Sequence, residues 1–383
     1  MNWGDCMKLY LDNAATTPLR PDVKQYIIDI LDVYGNPSSI HYVGQRSRDL
    51  VHMARQNVAK FINASDDEII FTSSGSAANT LAIVGYLENE LNNADTLLYS
   101  PIAHKSILKC KEKYEDRSIA LKVDNKGNID FKDLDEKLFD CFDVFAKILV
   151  VVDYANSEIG TIQNVEEIIK IVHEYNGVVV LDCTGSIPYI QLDVKALDVD
   201  MAVFSAHKLG ALKGCGVLYK KKNIALSPIV YGSQEQGLFG GTENVVGIAS
   251  LGKAVESYNY DDITDEKRYF LYGLLLAKVP DIHLIGSGIN RLPYNLYICV
   301  KGVKSEHLMM VLDMNGYCVS SGSACNSGSE EASPTLLAIG IDKEDQFNCI
   351  RITLSGNETE DELIEFSDVF ANCVKGLRVM FDE

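Results

Sequence analysis

The sequence predicts an α/β fold: a large domain with a mostly parallel sheet covered by helices on both faces, joined to a smaller α+β domain. Three observations predict it. Short apolar runs alternate with helix-periodic segments from about residue 65 to residue 255. Those runs are apolar at consecutive positions, the pattern of strands covered on both sides, as in a parallel sheet. After about residue 256 the elements become shorter and more mixed. At 383 residues the chain suits one large and one small domain. The expected boundaries are 15–255 for the large domain, and 1–14 with 256–383 for the small one.

Strands are expected over 68–72, 96–100, 147–153, 178–182 and 201–205. Between them, 77–89, 105–114 and 165–175 carry apolar residues at helical spacing. Asn164 reads as the N-cap of the last of these helices, with Glu166 and Glu167 in the first turn, where they suit the helix dipole. In the second unit a helix over about 263–279 leads to a strand at 295–300, a helix at 305–315 and a strand at 317–320. A helix at 334–339, a strand at 349–354 and a helix at 360–378 follow, the last capped by a Thr359/Glu362 box.

The net charge of −19 argues against nucleic acid or an anionic membrane surface as a direct partner. The longest apolar runs are far too short to span a bilayer, and the first residues lack a basic-then-apolar signal pattern. The ten cysteines show no paired spacing, so a reduced, cytoplasmic protein without a metal site is expected. Cys325 differs from the other nine. It sits in the run Ser320–Ser329, whose Ser, Gly, Ala and Asn residues cannot bury themselves, so its thiol should be accessible.

Ligands of open parallel sheets bind beyond the carboxyl ends of the strands. Four such ends carry reactive groups. Thr72-Ser73-Ser74-Gly75-Ser76 opens a helix, which suits a phosphate held by backbone N–H groups. His104 follows the second strand, Asp182 ends the fourth, and Ser205-Ala206-His207-Lys208 ends the fifth. Singly, each has a plain structural explanation: a turn, a loop cap, a solvated lysine. Together they are the parts that pyridoxal 5'-phosphate demands. A lysine binds its aldehyde, a carboxylate pairs with its pyridinium nitrogen, and a helix start holds its phosphate.

These residues resemble the cysteine desulfurases, within the class V aminotransferase group of fold type I pyridoxal-phosphate enzymes. The resemblance rests on an ordered series through nearly the whole chain. The series is Tyr10-Leu11-Asp12-Asn13-Ala14-Ala15, Gly35-Asn36-Pro37-Ser38-Ser39, Ser205-Ala206-His207-Lys208, Gly241-Thr242-Glu243-Asn244 and Ser321-Gly322-Ser323-Ala324-Cys325. It implies that Lys208 carries the cofactor, Asp182 pairs with the ring nitrogen, and His104 stacks on the ring and moves protons. Gly75, Ser76, Ser205 and His207 would hold the phosphate, and Thr242 would reach the cofactor of the other subunit in a homodimer. Asn13, Asn156 and Arg351 would bind substrate, with Arg351 forking onto the α-carboxylate. Cys325 would take sulfur from L-cysteine as a persulfide, release L-alanine, and pass the sulfur to an acceptor protein in iron–sulfur cluster assembly or thiolation.

The chain departs from the family pattern at the cofactor rim. Ser157 stands where an Asn is usual, Gly185 where a Gln is usual, Ala77 and Ala103 where Glu is usual, and Gln236 and Phe239 where Arg is usual. Gly185 is expected to leave space that a water or a neighbour fills. Two alternative functions follow: a selenocysteine lyase or another class V enzyme with a different amino-acid substrate, and a low-activity sulfur-carrier or scaffold subunit.

Overall fold

The computed structural model describes residues 7–143, 146–322 and 333–381. The first half contains β1 (Leu9–Tyr10), α1 (Pro21–Ile30), α2 (Tyr42–Phe61), β2 (Ile69–Thr72), α3 (Gly75–Leu87), β3 (Ala94–Tyr99) and α4 (Lys105–Glu112). Then come β4 (Ser118–Ala120), α5 (Phe131–Cys141), β5 (Lys147–Asp153), α6 (Val165–Glu174), β6 (Val178–Asp182), β7 (Met201–Ser205) and β8 (Gly216–Lys220). The remainder is α7 (Val245–Glu256), α8 (Glu266–Lys278), β9 (Ile282–Leu284), β10 (Asn295–Val300), α9 (Ser305–Met314) and β11 (Tyr317–Cys318). It closes with α10 (Pro334–Ala338), β12 (Cys349–Thr353) and α11 (Glu360–Phe381).

The central sheet has seven strands in the order β2-β8-β7-β6-β5-β3-β4, and only β8 runs antiparallel to its neighbours. Both faces are dry. Val150 and Val152 of β5 share one buried cluster with Leu181, Phe204 and residues of α2, α6 and α7. Leu149 and Val151 point the other way, into a cluster with Val180, Val203 and residues of α3 and α4. That two-sided cover is why these strands read as unbroken apolar runs. A third cluster, with Leu11, β10, β12 and α11, belongs to the smaller β12-β10-β9 sheet.

Most expected elements stand within two or three residues of their expected limits. The helix expected over 77–89 is Gly75–Leu87, because Ser74 caps it with its Oγ accepting from the Ala77 N–H at 3.1 Å. Glu68 is not in β2; it closes a capping box with Ser65. The last helix continues past 378 to Phe381, and its Thr359/Glu362 box forms as expected. Several elements were not expected from the sequence, among them α1, α2, α5, α7 and the reversed strand β8. All described cysteines are free thiols.

Candidate active site

The carboxyl ends of β5, β6 and β7 open into a cavity of about 320 Å³. Strand alternation sets its chemistry. Asp182 lies on the face of Val180, and Ser205 on the face of Val203, so both project toward the start of α3. There Gly75 and Ser76 line the cavity at a helix start whose first N–H groups have no intrahelical acceptor. A Cβ on Gly75 would stand 3.3 Å from both Ser205 Cβ and Thr184 Oγ1, so the missing side chain keeps this cradle open. Thr184 Oγ1 is buried and has no hydrogen-bond partner among the described residues.

Asp182 is 4% exposed and accepts from Thr184 N and Asn79 Nδ2, both at 2.8 Å, which fixes its carboxylate. His104 caps α4, its Nδ1 accepting from the Ser106 N–H at 3.2 Å, so the ring proton sits on Nε2. Its ring is accessible from the cavity, yet burial by the surrounding walls lowers its pKa; Asp182 opposes this while Lys208 and Lys105 add to it. Burial and the Lys208 charge push His207 down to about 4, leaving a neutral imidazole bonded to Thr16 Oγ1 at 3.0 Å. Lys208 Nζ donates to the Ala14 and Ala15 carbonyls, so the segment after β1 closes over the lysine.

Arg351 lies in the cavity wall, 3% exposed, and is already engaged. Its Nη2 pairs with Asp12 Oδ1 at 2.8 Å and its Nη1 donates to the Ser157 carbonyl at 3.1 Å, while Nε has no partner among the described residues. Asn156 holds the wall together: its Nδ2 donates to the Ile102 carbonyl at 2.7 Å, and its Oδ1 accepts from Glu158 N and Ile159 N. Asn13 lines a small adjoining hollow with Lys208 and donates to the Thr353 carbonyl at 2.9 Å. Thr242 is exposed and does not line the cavity. Cys325 lies outside the described residues; Gly322 before it and Pro334–Thr335 after it line the cavity.

The structure gives a reason for one rim departure and places another. Gly185 does not leave free space: a Cβ there would meet the Ala155 carbonyl at 2.8 Å, so the chain approaches itself closely at this point. Gln236 is exposed and donates to the Asp67 carbonyl. Beside it, Glu235 takes both arms of Arg55 and the Phe71 N–H, pinning α2 to the end of β2. Among the cavity residues that the sequence did not single out are Asn79, Thr184 and Asp153. Asp153 ends an expected strand as Asp182 does, and that was the available signal.

The aminotransferase class-V family matches residues 9–366 of this chain. A cysteine desulfurase IscS of Dictyoglomus turgidum is 36% identical over 97% of the chain and 96% of its own length. Among solved structures, a NifS-like protein superposes with a TM-score of 0.88 at 29% identity, over 97% of this chain and 100% of that one. SspA in complex with cysteine superposes with a TM-score of 0.80 at 27% identity, over 92% of this chain and 100% of that one.

Proposed function

The chain belongs to the class V aminotransferase family, and we propose that it is a pyridoxal-phosphate-dependent cysteine desulfurase. The observation that carries this reading is the convergence of Lys208, Asp182, His104 and the α3 cradle on one cavity. The residues fit the cofactor. The open cradle at Gly75 and the unpartnered Thr184 hydroxyl suit a phosphate, and the fixed Asp182 carboxylate suits a pyridinium nitrogen. Lys208, Asp182, Ser205, His207, Gly75 and Ser76 would hold it, with His104 against the ring. When bound, pyridoxal phosphate supplies an electron sink that labilises bonds at the substrate's α and β carbons.

The chain's own groups do the rest. Arg351 binds the α-carboxylate of L-cysteine by exchanging Asp12 for the substrate. Lys208, on the cavity floor, holds or moves a proton at the substrate's α carbon, and His104 presents Nε2–H for a second transfer. The Cys325 thiolate attacks the substrate sulfur. An S–S bond forms, the C–S bond breaks with its electron pair left on carbon, and a proton completes L-alanine. The persulfide then passes to an acceptor protein, in iron–sulfur cluster assembly or thiolation. We read the protein as a cytoplasmic homodimer, with the 15–255 and the 1–14 plus 256–383 domains meeting at this cavity.

The test is alanine and persulfide production from L-cysteine by the purified holoprotein. Cys325→Ser should abolish the persulfide and at least a hundredfold of the turnover; full turnover in that variant sinks the assignment of the nucleophile. Selenocysteine as competing substrate decides the lyase alternative, since selenium leaves more readily without a protein thiol.

A further inference from the structure

Among the described residues, Asp153 is the acidic group at the cavity whose presence the fold does not explain. β5 and β6 run parallel with Asp153 opposite Asp182. Alternation puts Asp153 on the face of Val151, the same face as Asp182, and adjacent strands lie only about 5 Å apart. The two carboxyl groups are therefore neighbours at the same corner. Their surroundings differ. Asp182 has a partner for each oxygen, whereas Asp153 has only Asn156 Nδ2 at 3.3 Å on Oδ2. Asp153 Oδ1 is buried without a partner among the described residues, in a side chain 6% exposed that lines the cavity.

A structural explanation is weak. An asparagine could accept from Asn156 equally well without the cost of burying an acid beside a carboxylate. A costly group that serves no packing purpose, set in a cleft, points to function. Resting on the pyridoxal phosphate reading, we propose that Asp153 is a second carboxyl of the ring-nitrogen corner, a positioning residue that reinforces Asp182 by giving up its proton when the cofactor's cationic ring binds.

Burial first, and the Asp182 charge second, push Asp153 up to about 7, so without a cation nearby it keeps its proton close to neutrality. Among the described residues the other acidic group of the cavity is Glu158, at the Arg351 end, and the basic groups are His104, Lys105, His207, Lys208 and Arg351. From α3 the uncharged Asn79 faces this corner, its Nδ2 donating to Asp182. A cationic ring nitrogen held by Asp182 favours the ionised form of Asp153. The Asp153 proton then goes to solvent, and the pair presents two charges to the ring instead of one.

The test uses the cofactor-free protein and two probes: pyridoxal 5'-phosphate, and its analogue with carbon in place of the ring nitrogen. Equilibrium binding is measured from about one unit below to one unit above neutral pH. The preference for the nitrogen-containing cofactor should grow with pH in the native protein, by about tenfold for each unit by which the cation lowers Asp153. In Asp153→Asn that growth should vanish, while the analogue binds as it does to the native protein. A preference independent of pH in the native protein overturns the proposal, and so does an Asp153→Asn profile that superimposes on the native one. If the variant does not fold, the native profile alone decides. Failure of pyridoxal phosphate to bind at all would refute the cofactor reading itself; binding with a flat preference removes only the role of Asp153.

Discussion

At the scale of single residues, His207 shows how the cavity sets protonation. Its pKa is 4 or so in the fold against an ordinary 6.5, so between these values the unfolded chain binds the extra proton. Stability must therefore fall as pH drops through that window, by less than the roughly 3 kcal/mol of the full shift because solvent screens a partly exposed ring. Urea unfolding of the cofactor-free protein at successive pH values should show this slope, and His207→Gln should flatten it by up to one proton. Residues of this kind were legible where chemistry and position coincide. Lys208, Asp182, His104, Gly75 and Ser205 stand at strand ends, and the fold brings them to one cavity. Gly185 was misread because a glycine in a sequence signals freedom, and only the structure reveals the Ala155 carbonyl 2.8 Å from where a Cβ would lie. Asp153 was passed over because a strand's last residue looks like strand until its neighbour strand is known.

At the scale of elements, legibility follows the strength of the periodic signal. β5 and β6 are apolar at nearly every position and were placed to the residue. α2 was not expected, and its packing explains why. Its buried face consists of Gly44, Ser47, Val51, Ala54, Val58 and Ala59, small residues that let α7 approach until a Cβ on Gly252 would stand 2.5 Å from Ala54 Cα. Close packing by small side chains gives tight contact while placing few large apolar residues on the buried face to mark it in the sequence. Caps were easier to read, since they need only two residues at fixed spacing. Removing one should act on the helix alone: Thr359→Ala, at the start of α11, should lower unfolding free energy by about 1 kcal/mol. Chemical denaturation checks the loss, and alanine production from cysteine should remain at the native rate because Thr359 does not line the cavity.

At the scale of the whole molecule, the surface carries an apolar group that a highly charged protein has reason to cover. Ile40, in the α1–α2 connection, is 88% exposed and Tyr231 87%, and Tyr42 at the start of α2 is exposed as well. The connections that bear them meet where Ser38, Ser233 and Gln234 line a common hollow. In the homodimer we propose, such a patch on a chain of net charge −19 would be a contact surface for the second subunit. Ile40→Asp should shift the protein toward monomer in sedimentation velocity, and native protein that sediments as a monomer at all concentrations would contradict the homodimer. The sequence carried no pattern for this patch, because exposure is a property of the folded surface.

The reversed strand β8 has a further consequence, for the order in which the protein can be made. Among the described residues β2 pairs in the sheet with β8 alone, and β8 lies about 140 residues downstream. β8 also starts against the turn that opens α3, where a Cβ on Gly216 would stand 2.2 Å from the Ser74 carbonyl carbon. While the chain emerges from the ribosome, the four buried residues of β2 must wait unpaired until residue 220 is available. The start of α3, which we propose as the phosphate cradle, waits with them. Under the proposed cofactor reading, a growing chain could not be loaded before about 60% of it exists, and the exposed β2 segment is where a nascent-chain chaperone has reason to bind. Ribosome-stalled chains ending before β8 should fail to retain pyridoxal phosphate, and retention by such chains would show that the cradle forms without its sheet.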